Sequence, residues 1–128
     1  MTVAEAFAAI VAALDRLFAA SSFAVWPGPP EATALPAVWP EYESSFTGSD
    51  RLNGGVVIFR LVAAIAPQSH AAEYAALYDA HDRFDTISAT ELGNPIAGRT
   101  GRLDVVQIGG ADVAALLYSL TVARALPC

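Results

Sequence analysis

The sequence predicts an α+β fold: a mainly antiparallel sheet with a long β-hairpin, packed by an N-terminal helix and a second central helix. Three observations predict it. An apolar stripe at three- and four-residue steps opens the chain, two long strand-like runs flank a polar loop in the middle, and two apolar runs flank a Gly-Gly turn near the end. No internal repeat, low-complexity segment or linker divides the 128 residues, so 1–128 reads as one domain.

Thr2-Val-Ala-Glu5 fits a capping box, in which the threonine caps a helix and the glutamate reaches back. Val3, Phe7, Ile10, Val11, Leu14, Leu17 and Phe18 then form one stripe over residues 3 to 20. Ser22 to Trp26 reads as a short strand that Pro27-Gly-Pro-Pro30 breaks. Pro36 and Pro40 bracket Ala37-Val-Trp39, which suits an edge segment, and each tryptophan precedes a proline and is held extended.

The central hairpin is the most informative stretch. Glu41, Glu43, Ser45 and Thr47 alternate with Tyr42, Ser44 and Phe46, the period of a half-buried strand. Val56 to Ile65 follows as an apolar run, with Val57, Phe59, Leu61, Ala63 and Ile65 on one face and Val56, Ile58, Arg60, Val62 and Ala64 on the other. Only Arg60 interrupts the second face, so either helices cover both faces or another subunit covers the second. The intervening Gly48-to-Gly55 segment is too long for a tight turn and reads as a polar tip.

After Pro67, Ser69 can cap a helix to about Phe84 carrying Tyr74, Leu77, Tyr78, His81 and Phe84 on one side. A short turn through Leu92 follows, and Gly93-Asn-Pro95 and Gly98-Arg-Thr-Gly101 read as punctuation of a loop. Leu103 to Ile108 is a strand, Gly109 to Asp112 a turn, and Ala115 to Arg124 a closing strand with Leu116, Tyr118, Leu120 and Val122 inward. The alanines and leucines of that last run also fit a helix, but its β-branched end and the Gly-Gly turn favour a strand.

Composition narrows function. At 55% hydrophobic and a mean hydropathy of +0.44, the chain suggests an additional buried interface, although alanine accounts for much of this. A net charge of −6 opposes sequence-independent nucleic-acid binding, which needs a basic footprint. No apolar run reaches membrane-spanning length, and Glu5 with Asp15-Arg16 argues against a secretory signal. The single cysteine, Cys128, can form no internal disulfide and fits no metal motif. All seven basic residues are arginine, which, with the alanine excess, points to a GC-rich bacterial or phage genome.

Chemistry-bearing motifs are scarce. His81 and Asp85 share a helical face with Asp79 and Asp82 nearby, but a third ligand is missing, and a solvated acidic face is the better reading. Glu41 and Glu43 lack a partner that would make them a catalytic pair. Gly98-Arg-Thr-Gly101 matches an RNA-clamping loop only superficially, because it feeds a strand. There is no phosphate loop, dinucleotide fingerprint or nucleophile elbow. The expectation is therefore no enzyme, no cofactor and no metal.

The order of elements, with Pro27-Gly-Pro-Pro30, Leu35-Pro-Ala-Val38, the apolar run Val56 to Ile65 and Ala66-Pro67 before a helix, resembles the tail terminator proteins of long-tailed bacteriophages. These include minor tail proteins of siphophages that infect actinobacteria, and the resemblance spans essentially the whole chain. It implies a hexameric ring at the head-proximal end of the tail, made in the host cytoplasm, that caps the tail tube, stops its polymerisation and joins it to the neck. The partners it implies are further copies of the chain, the tail tube protein and head or neck connector proteins. Genomic DNA would pass through the lumen without specific binding, past a wall in which residues such as Glu41, Glu43, Asp79 or Asp82 outnumber arginines. The family's sheet faces are more polar than the alanine- and leucine-rich faces here. The interface residues expected are Asp50, Arg51, Leu52 and Asn53 at the hairpin tip, with Trp26, Trp39 and Arg60. The alternatives are a neck connector or stopper, and a small α/β ligand-binding domain that uses the Trp26–Trp39 region as a pocket.

Overall fold

The computed structural model describes residues 2–30, 35–46, 55–66 and 70–123. Helix α1 (Val3–Leu17) is followed by strands β1 (Ala24–Val25), β2 (Ala37–Phe46) and β3 (Val56–Ala64). Helices α2 (His70–Asp85) and α3 (Ala89–Leu92) come next, then strands β4 (Ile96–Ile108) and β5 (Ala111–Ala123). The five strands form one sheet in the order β1-β2-β3-β5-β4, antiparallel except for the β1–β2 pair. The α+β architecture and both helices agree with the reading of the sequence.

Local chemistry starts α1 as expected. The Glu5 N–H donates to Thr2 Oγ1 at 3.1 Å and the Thr2 N–H to Glu5 Oε1 at 3.2 Å, so two otherwise orphaned donors are satisfied. The helix stops at Leu17, three residues short of the apolar stripe, and the next residues turn. Ala6, Ile10, Ala13 and Leu14 form its buried stripe.

All three helices pack on one face of the sheet. There they meet Val57, Phe59, Leu61 and Ala63 of β3, Ile65 just beyond it, and Leu116, Tyr118, Leu120 and Val122 of β5, all 3% exposed or less. The inward face expected of the closing strand is found, and of the two apolar faces of β3 the helices cover the one with Val57 and Phe59. The opposite face carries a smaller cluster of Ala37, Trp39, Val62, Ala64, Ile108, Val113, Ala115 and Leu117, to which none of the described helices contributes.

Arginines finish the helices. Arg83 Nη1 donates to the Leu17 carbonyl at 2.6 Å, with its guanidinium over the Phe18 ring, so a cation sits at the C-terminus of α1. Arg99 serves α2 in the same way, donating to the carbonyls of Phe84 at 3.0 Å, Asp85 at 3.1 Å and Ile87. A second capping box, Ser88 with Glu91, starts α3, and Arg16 ties that glutamate back to α1 with Nε–Oε1 at 2.8 Å.

Three expectations need correction. The alternation in β2 fails after Tyr42, because a bulge lies between Tyr42 and Ser44. Beyond it, Ser45 pairs with Val57 on the helix-covered face, and Ser44 and Phe46 pair with Ile58 and Val56 on the other. Ser45 therefore lies beside Tyr42, their side-chain oxygens 2.9 Å apart, rather than with Glu41 and Glu43. Second, Gly98 to Gly101 is not a loop: β4 starts at Ile96 and runs through it for thirteen residues. Gly101 is closely packed: a Cβ there would lie 2.8 Å from His81 Cδ2, so the imidazole would have to shift. Third, the turn comprises only Gly109 and Gly110, with φ of 60° and 83°, and β5 begins at Ala111.

Candidate interaction surface

The helix-free face divides into three zones, each set by which β3 residue faces outward. Around Val62 and Ala64 the apolar cluster is closed over, with Leu35 and Val106 packed against it. At Arg60 the surface becomes polar. Arg60 donates to Glu41 Oε1 through Nη2 at 2.8 Å and Nε at 3.2 Å, and Trp39 Nε1 donates to Glu41 Oε2 at 2.8 Å. Glu41 is thereby satisfied on both oxygens and its charge is matched. A shallow groove of about 300 Å³ runs on from there between Glu43, Arg60, Thr100, Arg102, Leu117 and Ser119.

Past Arg60, Val56 and Ile58 are half-buried. On the neighbouring strand Phe46 is 62% exposed, and Tyr42, on the opposite face, is 51% exposed. Among the described residues, an exposed aromatic thus stands on each side of this end of the sheet, and no described helix lies over its second face.

The expected interface residues fall apart into different settings. Asp50, Arg51, Leu52 and Asn53 lie outside the described residues. Trp26 is 39% exposed beyond β1, its N–H donating to the Val38 carbonyl. Trp39 is buried at 2% and anchors the apolar cluster, so it offers no free surface on this chain. Arg60 is part-exposed but engaged by Glu41. Neither the groove flanking Arg60 and Trp39 nor that beside α2 is lined by both tryptophans, so they do not share a pocket there.

On the helix-covered side, His81, Asp82 and Asp85 bring one potential ligand atom each within 4.8 Å of one another. Other contacts explain them. Tyr118, 1% exposed, donates its hydroxyl to Asp85 Oδ1 at 2.6 Å, and His81 stands edge-on to the Tyr118 ring at 5.6 Å. His81 Nδ1 lies 3.4 Å from Asp85 Oδ2, while Asp82 faces solvent. Burial, reinforced by the hydrogen bond to the Asp85 carboxylate and opposed by Arg99, pushes the Tyr118 hydroxyl up to about 12. The phenol is therefore held protonated, as a structural donor rather than a base. The sequence reading placed Asp85 on a solvated acidic face and missed this bond, since its two ends lie 33 residues apart.

No family model matches the chain, and no curated protein is significantly similar to it. Among the described residues, no helix is long and apolar enough to cross a membrane.

Proposed function

We propose that this chain is a structural virion protein, forming a ring that caps the tail tube of a long-tailed phage, halts tube polymerisation and joins the tail to the neck. The observation that carries the reading is the β2–β3 pair, where Tyr42 and Phe46 are exposed and, on the face the described helices leave open, Val56 and Ile58 are only half-buried. Exposed aromatics next to a half-covered apolar strand suit contact with a neighbouring subunit or tube. The resemblance in element order supplies the identity of that neighbour, and six copies around the tube is the stoichiometry it implies.

The role needs no catalysis and no cofactor. The described polar clusters have structural explanations: Glu41 links Arg60 to Trp39, and Asp85 holds Tyr118. DNA passing through such a ring would meet an acidic protein that does not retain it. Glu41 contributes least to that repulsion, being paired with Arg60, whereas Glu43 and Asp82 are exposed. The test is imaging of tails assembled with this chain, with a Phe46→Ser, Tyr42→Ser variant in parallel. Loss of ring density and overlong tubes in the variant support the reading, and normal tails oppose it.

A further inference from the structure

The two lateral edges of the sheet are unequally protected. At the β2 edge, the two-residue β1 already pairs with Ala37 and Val38, and a bulge interrupts the strand after Tyr42. Val38 turns its carbonyl outward to Trp26, so Pro40, two residues on, belongs to the same outward set and has no N–H to offer. Short edge strands, prolines and bulges all discourage a further strand.

At the β4 edge thirteen residues are presented. Ala114 accepts from the Ile65 N–H on the β3 side, so alternate residues of β5 face β4. These include Ser119, Leu117 and Ala115, opposite Thr100, Arg102 and Asp104. The backbone groups of Arg99, Gly101, Leu103, Val105 and Gln107 therefore point away from the sheet. The Val105 N–H agrees: it donates to its neighbour's Asp104 Oδ1 at 2.7 Å. The side chains above this edge are apolar, with Leu103 42% and Val105 59% exposed beside Tyr74 and Tyr78.

We propose that this edge pairs, antiparallel, with β4 of a second copy about a two-fold axis at Leu103. The charges select that register. Centred on Leu103, each Arg102 faces the second copy's Asp104, in the wide-spaced positions where side chains approach most closely. Centring on Arg102 or on Asp104 sets like charges against each other, and centring on Gly101 gives the two charges no partner on the second copy, leaving only their contact within the strand at 3.6 Å. The same Leu103 register places Leu103 against Leu103 and Val105 against Gly101, and gives the Val105 N–H a carbonyl partner. The product is a continuous ten-stranded sheet, near the upper size for an open one. A two-fold contact closes after two copies, so it is separate from a six-fold ring and does not rest on the tail reading.

The experiment is sedimentation velocity of the full chain over a micromolar-to-millimolar dilution series, with hydrogen exchange at both ends. The wild type should dimerise, and dimerisation should slow exchange at Leu103 and Val105. Arg102→Asp and Asp104→Arg, both at exposed positions, should each weaken the dimer by about tenfold or more, and the double swap should restore it. A chain monomeric throughout overturns the proposal, as do single variants that dimerise normally or a double swap that fails to recover. A six-fold ring whose β4 amides exchange freely overturns the two-fold and leaves the tail reading standing. A rescued dimer from a chain absent from tails does the reverse.

Discussion

Tyr118→Phe removes one hydroxyl from the sheet's helix-covered face and leaves the ring in place. At neutral pH the lost bond is a phenol donor to the Asp85 carboxylate at 2.6 Å, a class worth about 1.5–3 kcal/mol. Asp85 is 48% exposed at its side chain, so water can replace the hydroxyl and the lower figure, about 1.5 kcal/mol, applies. The alkaline limb follows from burial of the phenol first and from the same contact second. Tyr118 titrates near 12 when folded, against 10 as its ordinary value, so the folded chain holds the proton more tightly. That stability is fully present below pH 10 and is lost as pH rises through 12. At about pH 11 the loss is ~1.4 kcal/mol, which nearly cancels the neutral-pH advantage. Urea unfolding followed by tryptophan fluorescence should therefore show the wild type more stable at about pH 8 and the two proteins nearly equal at about pH 11. A gap of the same size at both pH values, or none at either, would refute the assignment.

Other perturbations probe different layers. Phe59→Ala, at a fully buried site where the Phe7 and Tyr42 rings meet it, should cost about 3–5 kcal/mol in chemical denaturation. Glu91 is held below its ordinary 4.5 by the Ser88 N–H and then by Arg16, so its contribution is present above pH 4.5 and fades as pH falls through the lowered value. Glu91→Gln should flatten this acid limb of stability, measured by thermal melts between neutral and acid pH. Deleting residues 49 to 53 should leave thermal stability within about 1 kcal/mol, since closure entropy varies slowly with loop length, yet disturb tail length in an assembly assay.

What the sequence disclosed follows from how local each cause is. The capping box at Thr2, the inward set Leu116–Tyr118–Leu120 and the shared face of Val57, Phe59 and Leu61 are written in spacings of a few residues and are found as expected, whereas the choice of which β3 face the helices cover is not written there. The bulge after Tyr42 leaves no such mark, because Glu43 fits either alternation and only pairing with β3 shows the shift. Gly98 and Gly101 suggest a loop by propensity, but twelve residues paired in register with β5 override it, and the close packing at Gly101 comes from His81 on a different element. The burial of Trp39 was hidden for a similar reason. Its burial depends on Val62, Ile108 and Leu117, which only the folded sheet gathers around it. Arg83 and Arg99 as caps for other segments were likewise invisible, since their acceptors lie 66 and 12 to 15 residues away.

The most direct test of the structural-virion account is cryo-electron microscopy of intact tails assembled with this protein, resolved at the head-proximal end. The account predicts six copies in a ring on the last tube layer, with the hairpin end around Tyr42 and Phe46 buried against a neighbour or the tube. Tails that end normally with no density for this chain would contradict it.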